Sequence, residues 1–392
     1  MGKDAKRGIL FVTPWLLGGG IERVIANSIP WLAARGYRCE VAAWTIASEL
    51  SGQPNPVLAA LSGAGIPVHR LNSYGRLRLL QRAVGTAAIA LRGRHRLLVG
   101  YELEGNLVAL LAKRLLFGRV RVMAQIHNAS GIHAEVGTSL TLLRLARRLY
   151  QDADAVVAVS DSIRLDSARF FGMDESRVRR LYNPLPISVI RHQAKLDASP
   201  AGGPTLPFIV ACGRLVRMKG FSDLLQAFAT IRKDHALQLV ILGEGPERAN
   251  LMERARELGI EGELLMPGFV ANPWSYFARA RAFVLSSLFG EAFSMVLVEA
   301  MVCGVPVIAS RCEWGPEEIL DHGRYGLLYA PGDVEGLTER LRSVLDEPAP
   351  TSSRVRAAYR RAEEFSQDAL LPEFEHQLAV LLAGAAHAIP NR

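Results

Sequence analysis

Cysteine, aromatic residues and long apolar runs are all scarce in this 392-residue chain. The four cysteines contain no CxxC pair, which argues against a disulfide framework and predicts reduced thiols. No apolar run reaches the roughly 20 residues that a membrane-spanning helix needs. The first residues contain no apolar signal-peptide segment, so a cytoplasmic protein is expected. The cysteines are Cys39, Cys212, Cys303 and Cys312.

What the chain does contain is typical of a folded protein, with 49% hydrophobic and 21% charged residues. Its length suits two domains of ordinary size. The net charge of +8 is uneven: residues 1–190 hold 25 Lys and Arg against 13 Asp and Glu, whereas residues 191–392 hold 21 against 25. The basic half is expected to face an anionic partner, although a generally basic, soluble surface would give the same count.

Short apolar strands alternate with helical segments, which predicts an α/β fold with two Rossmann-like, doubly wound parallel sheets. A segment rich in Pro, Gly and Ser separates the two runs, so we predict domains at 1–184 and 208–367, a linker at 185–207 and a terminal helix within 368–392 that packs back on the first domain. The predicted strands are Gly8–Thr13, Arg38–Ala43, Ile66–Arg70, Leu97–Val99, Arg121–Ile126, Ala155–Val159, Phe208–Cys212, Leu237–Leu242, Leu264–Met266, Ala282–Leu285 and Pro306–Ser310. The predicted helices of the first half are Ile21–Arg35, Arg76–Leu91, Gly105–Leu116, Thr138–Gln151 and Ser160–Phe171.

Two glutamates in the second half carry the sharpest chemical signal. Glu291 ends a loop after a predicted strand, and Glu299 lies among apolar residues of the next helix. A buried ionised carboxylate is costly without a partner, which ligand hydroxyls or a cation would supply. The helix start near Phe293 and Ser294 also offers N–H groups to a phosphate. A glutamate that reaches a surface groove or pairs with an arginine is the structural alternative.

Cations and glycines follow two other strands of the second half. Arg214 and Lys219 come after the strand that ends at Cys212, and such side chains bind diphosphates well. A solvated basic turn is the alternative. Gly243 follows the next strand, where either the approach of a ligand or a tight strand-to-helix turn would require glycine.

The first half offers a glycine loop and a histidine. Gly19 and Gly20 lead into a helix, a place suited to phosphate, while Glu22 is interpreted as an acid in the first helical turn. His127 directly follows a strand and is expected to point into a cleft between the domains, although a lone histidine is often structural. His133 is the weaker candidate. Metal-ligand spacing and a P-loop motif are absent from the sequence.

In these motifs the chain closely resembles the retaining family 4 glycosyltransferases of the GT-B fold. The resemblance runs in order through nearly the whole sequence and is strongest at residues 289–310. One departure is Ser294, where the family commonly has glycine after the phenylalanine. The matching motifs are GGGIERV, QIHN, VVAVSDS, LYNP, CGRLVRMKGF, LGEGPE, PGFV, FGEAFSMVLVEAMVCGVPVIAS and GPEEILDHGRYGLLYAPGD.

The resemblance implies a nucleotide diphosphate sugar donor and favours a UDP-sugar. It implies that the donor binds to the second domain and the acceptor to the first. It implies that Arg214 and Lys219 bind the diphosphate. It also implies that Glu299 accepts hydrogen bonds from the ribose hydroxyls and that Glu291 contacts the donor sugar. It further implies that the segment Ala292–Ser294 supports sugar and phosphate and that Gly243 borders the donor. It places Phe269 and Val270 beside the base, His127 against the transferred sugar, and Gly19 and Gly20 near the phosphates.

The family chemistry requires no metal and no cofactor, because fixed cations neutralise the leaving diphosphate. The expected product belongs to cell-surface polysaccharide or lipopolysaccharide synthesis, made from a glycan or lipid-linked acceptor. No nucleic-acid partner is expected, since basic patches interleaved with aromatic residues are absent. Another GT-B enzyme, such as an epimerase or phosphorylase, or a basic non-catalytic module, is the alternative.

Arginine and leucine share two predicted helices of the first half, residues 76–91 and 138–151. This composition suits a helix that lies on an anionic membrane, with apolar groups inserted and cations at the lipid phosphates. We therefore expect a peripheral protein on the inner face of the cytoplasmic membrane. The alternative is that the leucines pack on the sheet and the arginines face water.

Overall fold

The computed structural model describes residues 8–50, 53–130, 138–196, 203–346 and 353–384. The chain divides into two compact units. Unit 1 comprises residues 1–184 and 367–392, and unit 2 comprises residues 185–366. The two units have the same kind of architecture, a parallel sheet with helices in the crossovers.

Unit 1 contains a seven-stranded parallel sheet in the order β5-β2-β1-β6-β7-β8-β9. A short antiparallel pair, β3 and β4, stands apart from it. The strands are β1 (Gly8–Leu16), β2 (Arg38–Ile46), β3 (Glu49–Leu50), β4 (Gln53–Pro54), β5 (Val68–Arg70), β6 (Leu97–Tyr101), β7 (Arg121–Ile126), β8 (Ala155–Ala158) and β9 (Val178–Arg180). The helices before the boundary are α1 (Gly20–Ala33), α2 (Pro56–Gly63), α3 (Arg78–Arg92), α4 (Glu102–Leu115), α5 (Leu140–Leu149) and α6 (Asp161–Phe171).

Unit 2 contains a six-stranded parallel sheet in the order β12-β11-β10-β13-β14-β15. This is the doubly wound order of a Rossmann fold. The strands are β10 (Phe208–Cys212), β11 (Gln238–Leu242), β12 (Leu264–Gly268), β13 (Ala282–Leu285), β14 (Val307–Ser310) and β15 (Leu327–Tyr329). The helices are α7 (Ile187–Ala194), α8 (Phe221–Ile231), α9 (Arg248–Glu257), α10 (Trp274–Phe277), α11 (Met295–Cys303), α12 (Gly315–Ile319), α13 (Val334–Asp346) and α14 (Ser353–Arg361).

The segment predicted as a linker is partly folded. Its first half forms α7, which belongs to unit 2. Arg191 of α7 pairs with Glu363 at 2.5 Å and lies over the Tyr359 ring. The Pro and Gly content that suggested a linker falls mostly after this helix, and residues 197–202 lie outside the described part of the chain.

The final helix, α15 (Gln367–Leu382), returns to unit 1 and completes its core. Leu371, Phe374 and Leu378 are buried in the same cluster as the central strands of the unit 1 sheet. Arg35 of unit 1 lies 3.6 Å from Glu375. The chain therefore crosses from unit 1 to unit 2 and back.

Each sheet has one topological switch point, where the strand order reverses direction. In unit 1 it lies between β1 and β6, and in unit 2 between β10 and β13. Open α/β sheets bind ligands beyond the carboxyl ends of the strands at this point. The residues that follow these four strands are therefore the first candidates for a functional site. All four cysteines are free thiols.

Candidate functional site

The turn after β10 is hydrogen-bonded to the turn after β13. The Ser286 hydroxyl donates to the carbonyl of Lys219 at 2.7 Å, and the Leu288 N–H donates to the carbonyl of Met218 at 2.8 Å. These bonds fix a single 3₁₀ turn, Arg217–Lys219, at the edge of the sheet. Lys219 is thereby held at the unit 2 switch point, beside the loop that carries Glu291.

Lys219 and Glu291 form an ion pair, although 72 positions separate them in sequence. The Ser287 hydroxyl also donates to the Glu291 carboxylate, at 2.6 Å. Burial alone would raise the pKa of Glu291, but the Lys219 ammonium and the Ser287 hydroxyl hold it below the usual value. Glu291 is therefore ionised and paired with a lysine, which the sequence had not predicted.

Arg214 supplies a second cation in the same turn. It is exposed and, within the described residues, has no ion-pair partner. Because Lys219 is neutralised by Glu291, the three side chains together carry one net positive charge. Arg214 is therefore a cation that an anionic ligand could meet without displacing another group.

Gly243 is required by packing. Its φ is +139°, and a Cβ atom would lie 2.0 Å from the carbonyl oxygen of Gly213. Its N–H donates to the carbonyl of Gly268 at 2.8 Å, so the three strand-end turns approach one another at glycines. The tight-turn explanation accounts for this residue, and its contact with a donor stays a prediction.

The loop that carries Glu291 leads into the buried start of α11. The carbonyl of Glu291 accepts from the Gly315 N–H at 2.6 Å, which anchors the loop to the start of α12. Ala292, Phe293 and Ser294 are all buried. Ser294 has an ordinary φ of −81°, so its serine side chain causes no backbone strain at a position where the family commonly has glycine.

The Ser294 hydroxyl is buried and has no hydrogen-bond partner among the described residues. It nevertheless lies close enough to Glu291 to help lower the pKa of that carboxyl. A buried hydroxyl without a partner costs about 1–3 kcal/mol. A ligand at the start of α11 would satisfy it.

Glu299 has a partner that the sequence analysis missed. Its carboxylate accepts from the Trp274 indole N–H at 2.9 Å, and it is only 1% exposed. Trp274 begins α10, which follows the loop containing Phe269 and Val270. Phe269 is 50% exposed, as a residue that stacks on a base would need to be, whereas Val270 is half-buried. The indole offsets part of the cost of burying Glu299.

In unit 1 the glycine loop is closed by Glu22. Gly19 and Gly20 lead into α1, and the Glu22 carboxylate turns back to accept from the Leu17 N–H at 3.2 Å. Glu22 is only 3% exposed. The interpretation of Glu22 as an ordinary first-turn acid is therefore incomplete, since the side chain also braces the loop.

His127 lies at the carboxyl end of β7 and is 6% exposed. Its ring stacks on Tyr101 at 5.5 Å between centroids, and Nε2 lies 3.1 Å from the Gln125 side-chain oxygen. Burial lowers the pKa of His127 to about 3, so the ring is neutral. Nδ1 has no hydrogen-bond partner in the part of the chain that the structure describes. His133 lies outside the described residues.

Neither a metal cluster nor a membrane span is found in the described ranges. No group of three or more His, Cys, Asp or Glu residues there is placed to hold a metal ion. No helix in those ranges is long and apolar enough to cross a bilayer. Metal independence and membrane attachment stay predictions.

Two parallel Rossmann-like sheets, each with polar side chains at its switch point, define a protein of the GT-B class. The model of the "Glycosyl transferase 4-like domain" matches residues 19–184, and that of "Glycosyl transferases group 1" matches residues 194–363. The two matches together span most of the chain. The protein therefore belongs to the glycosyltransferase family that these two domain models describe.

Individual relatives agree with this placement. An N-acetylgalactosamine-N,N'-diacetylbacillosaminyl-diphospho-undecaprenol 4-alpha-N-acetylgalactosaminyltransferase of Campylobacter jejuni is 29% identical over 56% of this chain and 58% of its own length. The lipopolysaccharide core biosynthesis glycosyltransferase LpsE of Rhizobium meliloti is 33% identical over 48% of this chain and 53% of its own. The matched region thus spans just over half the length of these relatives.

A solved structure agrees over a larger part of the chain. Anabaena HepE in complex with UDP has a TM-score of 0.80 and 21% identity. The comparison covers 95% of this chain and 99% of HepE. At this identity the likeness shows the fold.

Proposed function

We propose that this protein is a retaining, metal-independent glycosyltransferase that moves a hexose or N-acetylhexosamine from a UDP-sugar to a glycan or lipid-linked acceptor. The observation that carries the proposal is the Lys219–Glu291 ion pair at the switch point of unit 2, with the exposed Arg214 in the same turn after β10. Together these residues offer two cations to a diphosphate and an ionised carboxylate to sugar hydroxyls. The UDP in the related HepE structure supports the choice of nucleotide.

The proposed chemistry depends on fixed charges. As the glycosidic bond breaks, negative charge grows on the leaving diphosphate, and pre-positioned cations stabilise it without reorganisation. Lys219 is held by Glu291, and Arg214 adds the net positive charge. Glu299 would receive the ribose hydroxyls, and the start of α11, with the buried Ser294 hydroxyl, would meet the sugar and phosphate.

The proposed acceptor class draws on the relatives. One acts on a diphospho-undecaprenol-linked glycan and another in lipopolysaccharide core biosynthesis, according to their names. We place this protein in the same kind of cell-surface glycan synthesis. A protein that acts on such acceptors benefits from binding to the membrane surface, and α3 offers a face for it.

The exposed side of α3 carries large apolar side chains among polar ones such as Gln81. Leu80 is 47% exposed and Val84 is 52% exposed, and Leu77 and Leu91 are more exposed still. Leu77 directly precedes α3 and the other three recur at helical spacing along one side of it; we call the four residues the α3 stripe. Their exposure favours membrane insertion over packing on the sheet, since a soluble surface rarely holds such a row.

Exposed arginines lie near the α3 stripe, but one arginine of α3 is buried. Arg78 and Arg92, at the two ends of α3, are exposed. Arg82, in contrast, is buried, pairs with Glu104 at 2.8 Å and lies over the Trp44 ring. Arg82 therefore cannot reach a lipid phosphate. On α5, the exposed arginines are Arg144, Arg147 and Arg148.

A donor screen tests the proposed function. Purified protein is supplied with UDP-glucose, UDP-galactose, UDP-GlcNAc or UDP-GalNAc and with methyl glycosides as acceptors in water, and UDP released by transfer or hydrolysis is measured with and without excess EDTA. We expect release from one donor and no loss in EDTA. Proton NMR of the early product should show an α linkage from an α-linked donor. Absence of release from all four donors contradicts the UDP-sugar proposal, rescue by Mn²⁺ contradicts metal independence, and a β product contradicts retention.

A further inference from the structure

Glu102 stands on a strained elbow between β6 and α4. It is the first residue of α4 and directly follows the strand, and its φ is +61°, in the left-handed region that favours glycine. A non-glycine residue held there costs on the order of 1–3 kcal/mol and persists only where the surroundings impose it. Strained residues of this kind are found most often at functional sites, which makes Glu102 a candidate functional residue.

Two glycines allow close packing on either side of the elbow. A Cβ atom at Gly100 would lie 2.5 Å from the Asn106 side-chain oxygen, and one at Gly105 would lie 2.6 Å from the Val12 carbonyl oxygen. The elbow is therefore packed tightly against β1 and α4. Sharp strand-to-helix turns of this kind present a single side chain at the end of a sheet.

Only one of the two oxygens of the Glu102 carboxyl group has a hydrogen-bond partner among the described residues. It is 6% exposed, and Oε2 accepts from the Asn128 side-chain amide at 2.5 Å. Oε1 is buried and has no hydrogen-bond partner among the described residues. A buried carboxyl oxygen without a partner is costly, and most such atoms in proteins are satisfied.

The surroundings of Glu102 are acidic. Burial raises the pKa of Glu102 to about 7; the Asn128 amide opposes this shift, and the charge of the nearby Glu22 adds to it. Glu22 is itself buried and braces the glycine loop before α1. Two buried carboxyl groups in proximity repel an anion such as a phosphate ester, whereas they accept hydrogen bonds from neutral hydroxyl groups.

The location of Glu102 also indicates a ligand. β1 and β6 are neighbours in the sheet and flank the switch point of unit 1, where doubly wound sheets bind their ligands. Glu22 follows β1 and Glu102 follows β6. The partner of Glu102, Asn128, follows β7, the next strand along the sheet.

We propose that Glu102, with Asn128, binds a hydroxyl group of an uncharged sugar unit of the acceptor at the switch point of unit 1. The inference rests on the proposed glycosyltransferase activity and specifies its acceptor. The unpartnered Oε1 accepts from the sugar hydroxyl, while Glu22 disfavours a phosphate at the same position. Glu102 is thus a specificity-determining residue for a neutral sugar.

Ligand-observed NMR tests the inference with methyl glycosides of glucose, galactose, GlcNAc and GalNAc at millimolar concentration. The same sugars as 6-phosphates form the second arm. We expect at least one glycoside to bind the wild type, with its 6-phosphate at least tenfold weaker. Glu102→Gln should weaken that glycoside about tenfold, and Glu102→Ala should abolish detectable binding.

Glu104→Gln is the matched control, because Glu104 lies on the same helix and pairs with Arg82 instead. It should bind the glycoside as the wild type does. The inference is overturned if no glycoside binds the wild type, if the 6-phosphate binds equally well, or if Glu102→Gln leaves binding unchanged. UDP binding, measured on the same samples, shows whether each variant is folded.

The same samples separate failure of this inference from failure of the proposed function. If the wild type releases UDP from a donor but Glu102→Gln leaves glycoside binding unchanged, only the acceptor assignment is wrong. If the wild type neither binds UDP nor releases it from any donor, the proposed function fails. Glycoside binding that then depends on Glu102 would still show a sugar site at this position.

Discussion

The two switch points carry buried carboxylates in opposite electrostatic surroundings. In unit 2, Glu291 is paired with Lys219, and its pKa lies below the usual value. In unit 1, Glu102 faces Glu22, and its pKa is raised to about 7. The two proposed ligands follow this contrast, with an anionic donor assigned to unit 2 and a neutral hydroxyl group assigned to unit 1. Because the two sheets have closely similar order, the contrast lies in a few side chains that follow the strands.

The largest effect is expected from Lys219→Ala. Loss of this cation should lower kcat/KM for the donor by roughly 10²–10³, the range for one transition-state charge stabiliser. It also leaves the Glu291 carboxylate buried without its cation, which costs about 3–5 kcal/mol of stability. Steady-state UDP release and thermal unfolding measure the two effects.

The double variant Lys219→Ala/Glu291→Gln separates the two effects. Removing the unpaired charge should restore most of the stability while transfer stays low. If the double variant regains near wild-type transfer, Lys219 is merely a structural partner of Glu291.

Arg214→Ala should lower donor kcat/KM by roughly 10²–10³ without a loss of stability. The side chain is exposed and has no ion-pair partner within the described residues, so its removal leaves no buried charge. Arg217→Ala is the control, because Arg217 is also exposed in the same turn. Equal activity in the two variants contradicts the role of Arg214.

Glu102→Gln should stabilise the fold above neutral pH. The folded-state pKa of about 7 lies above the ordinary value of 4.5, so the wild type binds more protons when folded. Its stability is then full below about pH 4.5 and falls as the pH rises through 7. Near pH 8 the variant should gain on the order of 3 kcal/mol over its advantage at pH 4.5.

Titratable groups near Glu102 include Glu22, Tyr150, the adjacent Tyr101 and His127, which stacks on Tyr101. Glu22 is a buried acid, His127 is neutral because burial lowers its pKa to about 3, and burial raises the pKa of Tyr150 far above this range. Urea unfolding at pH 4.5, 6, 7 and 8 measures the stability difference. A difference that does not change with pH contradicts the raised pKa of Glu102.

The smallest effect concerns the membrane. Replacing Leu80 and Val84 of the α3 stripe by asparagine should weaken binding to phosphatidylglycerol vesicles about tenfold at low salt, because less apolar area is inserted. Val189→Asn changes an equally exposed apolar residue of unit 2 and should have no effect. If the wild type binds neutral and anionic vesicles equally, the proposed membrane surface is wrong.

The sequence predicted several interior strands well, ended β1 and β2 three residues too early, and missed two short edge strands. Strands β7, β10 and β13 have the predicted bounds, because each is a buried apolar run with clear flanks. Strands β9 and β15 were missed, because each has three residues at a sheet edge, and β9 carries two arginines. Three residues give too little periodicity to identify a strand.

The residues of the two candidate sites were also predicted only in part from the sequence. The motifs identified Glu291 and Lys219, but their ion pair depends on how the β10 and β13 turns meet, which sequence spacing does not reveal. Glu102 was missed because the predicted strand ended at Val99 and the predicted helix began at Gly105, leaving the elbow in a loop. Two acids between Gly100 and Gly105, Glu102 and Glu104, at the junction of a strand and a helix were the available signal.

The contrast between the two switch points is tested by calorimetric titration of UDP into three proteins: the wild type, Arg214→Ala and Glu102→Gln. We predict that Arg214→Ala weakens UDP binding at least tenfold, because an exposed cation in the turn after β10 is lost. We predict that Glu102→Gln leaves the dissociation constant within twofold of the wild-type value, because Glu102 belongs to unit 1. Equal weakening by both substitutions, or by Glu102→Gln alone, would contradict the assignment of the anionic ligand to unit 2.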